Sequence, residues 1–314
     1  MENKERALIT IIKSLAKKMD LEISLFCYKW VIQIRKYRTT RHIIGYDWEL
    51  NTSTAQLIAK DKYACYELLK KANLPTIEHK LFLNTQSQHY IGGNGSWHEL
   101  VTFYKSNNFD IVCKPNVGTG GNSVFRVQNQ LELESACHHL FSKSRGLTVS
   151  PYYDIRFEYR VIVLQGEALL VYSKEKPSIS GDGKRALLEL LLEFSEQKKI
   201  SLQSLDISKL NLDSIPDKNE VVHVGWQHNL GKGANASLVN EEKKYNEISK
   251  LGIDAASAIN ASFVSVDIVE TVNGLFVLEI NSGIMMEYFS SISHQHFNIT
   301  TNIYRKALTK MFES

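Results

Sequence analysis

Cysteine, proline and long apolar runs are all scarce in this 314-residue chain. Its four cysteines (Cys27, Cys65, Cys113 and Cys137) form no CxxC pair and have no histidine partner at zinc-site spacing. That excludes a disulfide framework or a zinc knuckle and predicts buried, reduced thiols, as in a cytosolic protein. No segment approaches the ~20 apolar residues of a membrane span. Residues 1–20 mix charges with Ile11, Ile12 and Leu15 at helical spacing, which reads as an amphipathic helix and not a signal peptide. The expected location is cytoplasmic, with no membrane contact.

An excess of either charge is also missing. With 37 Lys and Arg against 34 Asp and Glu, the net charge is +3, which argues against a dedicated nucleic-acid binder. The basic run from Lys29 to Arg41 reads as a solvated face. There is no internal repeat and no low-complexity tract, so a chain of this length predicts one enzyme with two or three subdomains.

What is present alternates between helix and strand signals. After the first helix, residues 21–30 read as a strand and 52–72 as one helix capped by Asn51 or Thr52. Asn73-Leu74-Pro75 ends that helix. Short strands and helices follow to residue 150, the clearest helix spanning 131–143. Residues 159–164 and 167–173 read as a hairpin around Gln165-Gly166. Helices are expected at 185–198, 243–261 and from Thr300. Mixed blocks of this kind favour α+β over a doubly wound sheet.

Two segments carry candidate chemistry. In the run from Phe263 to Asn281, two strand patterns flank a turn with Asn273-Gly274. A two-residue Asn-Gly loop would set Asp267 opposite Ile280; a three-residue loop, 272–274, would set it opposite Glu279. In the second register Asn281 shares their face, and two facing carboxylates require a cation. Oxygen ligands without His or Cys select magnesium or manganese. The other segment, Lys114 followed by Gly118-Thr-Gly-Gly121-Asn-Ser123, ends a strand in a loop whose amides can approach phosphate oxygens. It is neither a Walker A nor a dinucleotide-binding loop.

The ordered succession Lys62, Lys114 with its glycine loop, Glu158-Tyr-Arg160, Asn229 and Asp267…Glu279-Ile-Asn281 resembles the ATP-grasp superfamily from about residue 51 onward. Its members include D-alanine–D-alanine ligases, glutathione synthetases and ribosomal-protein glutamate ligases. Lys176-Pro177 and Gly181-Asp-Gly-Lys184 before a Leu-rich helix are similar to an insertion of cyanophycin synthetases and bifunctional glutathione synthetases. The resemblance implies an α+β ATP-grasp fold, two lobes gripping ATP, with a short N-terminal α/β segment at 1–55. The grasp would span 56–314, with a central lobe at 56–150, a C-terminal lobe at 151–314 and a lid insertion at 178–222.

It further implies an ADP-forming carboxylate–amine ligase working through an acyl phosphate on an amino acid or short peptide. A nucleotide-binding regulatory protein or an acid–thiol ligase is the alternative. Lys62, Lys114, Gly118, Thr119, Gly120, Gly121, Asn122 and Ser123 would hold the ATP phosphates. Pro151, Tyr152 and Tyr153 would form the hinge against the adenine, and Glu158 would bind the ribose. Asp267, Glu279 and Asn281 would bind one or two Mg2+, or Mn2+. Arg160, Asn229 and Lys232 would serve the transferred phosphoryl group and the acyl phosphate, with Lys174 or Lys176 in place of a family arginine. The short N-terminal segment implies an open substrate pocket, or completion by a partner, a homodimer included. His228 is the histidine best placed for substrate contact. Trp226 is expected in the core, and His294 and His296 on a surface strand or loop.

Overall fold

The computed structural model describes all residues except 1–4, 92–94, 119, 206, 208–209 and 314. The chain opens with α1 (Ala7–Met19), whose Leu8, Ile9, Ile11, Ile12 and Leu15 form one buried stripe. It packs on a four-stranded antiparallel meander, β1 (Glu22–Phe26), β2 (Val31–Lys36), β3 (Thr39–Ile44) and β4 (Asp47–Trp48). The segment expected as α/β is therefore one helix on a meander. Cys27 sits exposed in the first turn of that meander, unlike the other three thiols, which are buried as expected.

The helix expected over 52–72 is two helices, α2 (Ser53–Lys60) and α3 (Lys62–Lys71). Thr52 caps the first through its side chain; Asp61 breaks the run in extended conformation and caps the second, accepting from the Ala64 amide at 2.8 Å. Next come β5 (Lys80–Leu83), α4 (Trp97–Ser106), β6 (Ile111–Pro115), β7 (Phe125–Val127), α5 (Gln130–Phe141) and β8 (Gly146–Pro151). Their strands form an antiparallel sheet in the order β5-β8-β6-β7. It closes a core with α4 and α5 that includes Phe82, Phe103, Ile111 and Leu133.

The second large sheet has the order β13-β10-β9-β14-β15, built from β9 (Phe157–Leu164), β10 (Glu167–Glu175), β13 (Asn235–Leu238), β14 (Phe263–Thr271) and β15 (Gly274–Asn281). Between β10 and β13 lie β11 (Ser178–Ser180), α6 (Leu187–Lys198) and β12 (Val221–His223), with a small core of their own around Leu187, Leu190 and Leu191. Asp182 of the Gly-Asp-Gly-Lys turn caps that insertion, accepting from the Lys184 and Arg185 amides.

Period-two alternation gives the five-stranded sheet two unlike faces. Val161, Val163, Val264 and Val266 bury against α7 (Glu242–Ala258). Ile162, Leu164, Leu170, Tyr172 and Phe263 point the other way, into the core made by α1, the meander and α9 (His294–Glu313). A short helix, α8 (Glu287–Ser290), precedes α9. His294 and His296 thus open a helix six residues earlier than expected, and the His296 ring meets Phe289 edge-on at 4.8 Å.

Candidate active site

The second face of the five-stranded sheet changes character halfway along its strands. Glu158 and Arg160 on β9, Lys174 on β10, and Ser265 and Asp267 on β14 continue the same alternation as the apolar residues above. They emerge from under α1 and α9 into a cleft of about 580 Å³ between the two sheets. Asp267 lies opposite Arg160 on one side and Glu279 on the other.

The Asp267–Glu279 register is the one expected from a three-residue loop, but its construction differs. Thr271 pairs with Gly274, leaving a two-residue turn, and a bulge beside Asp267 inserts Leu278 and restores the offset. Gly274 takes φ +114°, a conformation open to glycine, as the first residue of β15.

Asp267, one of the two facing carboxylates, takes its counter-charge from the chain itself. Arg160 donates from Nε and Nη2 to the two Asp267 oxygens, both at 2.7 Å. Lys174 Nζ lies 3.1 Å from Asp267 Oδ1 and also pairs with Glu158. Two cations and two anions balance in a region where Glu158, Lys174 and Asp267 are all buried. Burial works against the Asp267 charge, yet Arg160 and Lys174 outweigh it and hold the carboxyl well below the usual range. Glu158 is raised by burial and by Asp267, against the pull of Lys174. Of the two candidate lysines, Lys174 lines the cleft, whereas Lys176 lies outside it, 3.7 Å from exposed Asp154.

Glu279 and Asn281 stand beside this group, partly exposed, with Asn281 Nδ2 3.2 Å from Glu279 Oε1. Their hard oxygens fit a magnesium ion in donor chemistry. Asp267 fits less freely, because both of its oxygens are engaged by Arg160. Among the described residues no cluster of three His, Cys, Asp or Glu could hold a metal.

The glycine loop closes over the cleft from the first sheet. Its start is anchored by Asn116, whose Oδ1 accepts from the Tyr63 amide and the Thr148 hydroxyl. Lys62 Nζ donates to Gly118 O at 2.7 Å, Asn229 Nδ2 to Gly120 O at 2.8 Å, and Lys232 Nζ to Gly121 O at 2.9 Å. Three residues expected to serve the nucleotide or the acyl phosphate thus grip the loop backbone. Gly121 has φ +67°, and a Cβ there would lie 2.8 Å from Asn229 Nδ2. Gly120, Gly121 and Asn122 line the cleft, whereas Ser123 turns to His139 at 3.1 Å. Thr119 lies outside the described residues. Lys114 projects into the cleft fully enclosed; burial lowers its ammonium to about 8, against the attraction of Glu279.

Pro151, Tyr152 and Tyr153 border the same cleft where the chain passes from one sheet to the other. Arg126 holds Tyr152 by stacking 3.5 Å from its ring centroid while its guanidinium pairs with Asp110. Trp226 is a wall of the cleft facing Tyr152 edge-on at 6.2 Å, and not a core residue as expected. His228 also borders it: Nδ1 is 2.7 Å from Lys174 O, buried Nε2 has no hydrogen-bond partner among the described residues, and burial lowers its pKa to about 4. No described residue of 178–222 reaches the cleft. The residues that sequence reasoning missed are Trp30, Tyr46, Asp47 and Lys60, from the meander and α2. Nothing in their local patterns marks them, because only the packing of α1 and α9 brings the meander to the cleft mouth.

A model for the RimK-like ATP-grasp domain matches residues 222–306. Cyanophycin synthetase from Trichormus variabilis is 24% identical over 200 residues, covering 57% of this chain and 20% of the relative. That from Synechocystis sp. is 26% identical over 144 residues, covering 40% and 16%. The chain thus spans about a fifth of the length of these relatives. Among solved structures, a bifunctional glutathione synthetase from Pasteurella multocida superposes with a TM-score of 0.57 at 17% identity, covering 94% of this chain and 44% of that one. D-alanine–D-alanine ligase from Bacillus anthracis gives 0.55 at 15% identity, covering 84% and 69%.

Proposed function

Starting from the ATP-grasp fold of this chain, we propose that it is an ADP-forming ligase that activates a carboxylate as an acyl phosphate and joins it to an amine. The observation that carries this reading is a single cleft in which Glu279 and Asn281 stand beside the Arg160–Asp267–Lys174 group, under a clamped glycine loop and next to Lys114. Such a set neutralises charge that develops during phosphoryl transfer.

The adenine lies against Pro151–Tyr153 and Trp226, and Lys114 with the loop amides 120–122 holds the phosphates. Glu279 and Asn281 hold magnesium, which when bound supplies positive charge to the phosphate oxygens. Asp267 keeps Arg160 and Lys174 in place, so their cationic groups face the reacting end without relaxing. Glu158 fixes Lys174 from below and leaves an edge toward the ribose. Asn229 and Lys232, by holding the loop down, exclude water from the acyl phosphate.

The proposed location is cytoplasmic, and the proposed substrates are small amino acids or peptides. Cyanophycin synthetase and glutathione synthetase, the named relatives, support an amide-forming reaction. The test is ADP release by the full chain with MgATP and pooled amino acids and dipeptides. Release that depends on a carboxylate and an amine together supports the ligase; tight nucleotide binding with no turnover for every pool overturns it.

A further inference from the structure

At the end of the cleft away from the hinge, the meander brings an ion pair against the strand that carries Glu279 and Asn281. Lys60 Nζ donates to Asp47 Oδ2 at 2.8 Å, and Ser282 Oγ donates to Asp47 Oδ1 at 2.6 Å. Asp47 also bridges to Gly283 through the backbone. Ser282 directly follows Asn281, so Asp47 is held next to the reacting end, with Lys60 beyond it. Both members of the pair line the cleft.

Apolar surface surrounds them. Trp30, Met285 and Tyr288 are about half exposed yet converge on this mouth, where Tyr46 joins them. The positions of Trp30 and Tyr46 are built, not incidental. The Arg6 guanidinium lies 5.2 Å from both the Trp30 and the Tyr46 rings and donates to Gly45 O at 2.9 Å. A Cβ on Gly45 would lie 2.6 Å from the Trp30 ring. The Tyr46 hydroxyl donates to Glu287, which also accepts the Ala7 and Leu8 amides at the start of α1. Side chains this firmly set, with their apolar faces left toward a cleft, fit a ligand's apolar group.

We propose that this end is the amine-acceptor site and takes a zwitterionic α-amino acid with an apolar or aromatic side chain. The inference rests on the ligase reading and narrows it. An Asp–Lys pair presents one anion and one cation side by side, which matches a ligand carrying ammonium and carboxylate on neighbouring atoms. A ligand with one charge alone adds a net charge to a pair that is already balanced. Asp47, nearer Asn281, takes the ammonium, which places the nitrogen toward the phosphate end; Lys60 takes the carboxylate. The Trp30–Tyr46–Met285–Tyr288 mouth takes the side chain, and Arg6, behind the Trp30 and Tyr46 rings, is tied to the Gly45 and Lys29 carbonyls and not turned to an acidic one.

The test is ligand binding by saturation-transfer NMR on the full chain, with magnesium and a non-hydrolysable ATP analogue. L-leucine and L-phenylalanine should bind; L-leucinamide, N-acetyl-L-leucine and L-glutamate should each bind about tenfold or more weakly. Asp47→Asn and Lys60→Met should each weaken leucine by about tenfold, with the affinity for the analogue retained. Trp30→Ala, a substitution at a half-exposed position, should erase the preference of phenylalanine over alanine. Absence of amino-acid binding, preference for glutamate, or indifference to all three substitutions would overturn the proposal. Failure of the analogue to bind counts instead against the ligase reading, because amino-acid binding is observed separately.

Discussion

Arg160 and Asp267 face each other across neighbouring strands and share two hydrogen bonds of 2.7 Å, with Lys174 closing on the same carboxylate. Removing the anion leaves two cations in a buried region, and breaking such a pair costs about 3–5 kcal/mol. Asp267→Asn should therefore lower the stability measured by urea unfolding by roughly that amount, more than Asp154→Asn on the exposed Lys176 pair.

The same carboxylate gives stability an acid dependence. Its folded pKa is held well below the ordinary 3.8, so its contribution is complete above about that pH and is lost as pH falls from there toward the lower folded value. Glu158 acts in the opposite direction, since burial raises it. Chemical denaturation from pH 5 to about pH 2 should show a loss, setting in below about pH 4, that Asp267→Asn flattens.

Lys114 sets a limit on the alkaline side. Burial lowers its ammonium to about 8, so a phosphate ligand loses its charged partner as pH rises through that value. Affinity for MgATP should fall by up to about tenfold per pH unit above 8, read by titration with a fluorescent nucleotide. Lys114→Met should bind weakly at every pH and lose this slope.

Glu279→Gln keeps shape and removes one charge next to Asn281. Under the proposed magnesium role, turnover should fall by about 100- to 1,000-fold while the melting temperature stays close to the parent's. Parental turnover in this variant would count against the metal assignment.

Gly121→Ala tests the loop clamp. The added methyl meets Asn229 at 2.8 Å and a backbone at φ +67°, a strain of about 1–3 kcal/mol. The loop should lift, seen as faster amide exchange over 116–124 and a weaker nucleotide affinity, with global stability little changed.

The exposed Cys27 should be the one thiol that a bulky thiol reagent titrates rapidly in the native protein, with all four reacting in denaturant.

Residues whose placement follows from one strand's alternation were legible in the sequence. Glu158, Arg160, Asp267 and Glu279 fall on one face by period two. The register of Asp267 against Glu279 was one of two that the turn allowed, and the bulge at Leu278 that produces it was not foreseen. Local patterns could not reveal that Arg160 and Lys174 neutralise Asp267, because β10 reaches β14 only across β9. Asp61 as a helix break was hidden by the continuous helical pattern on both sides of it. The meander's share of the cleft depends on α1 and α9, whose packing no local pattern encodes. Trp226 was misplaced because an aromatic residue in a β-rich context reads equally well as core or as the wall of a cleft.

The five-stranded sheet uses one face for two purposes: Ile162 and Phe263 lie under α1 and α9, and Arg160 and Asp267 lie a step further along the same strands. Assembly of the reactive floor and burial of the hydrophobic interior are therefore a single event. A truncation that strips α1 or α9 would expose Ile162 and Phe263 and dismantle the charged quartet with them, even though neither helix contributes a residue to it.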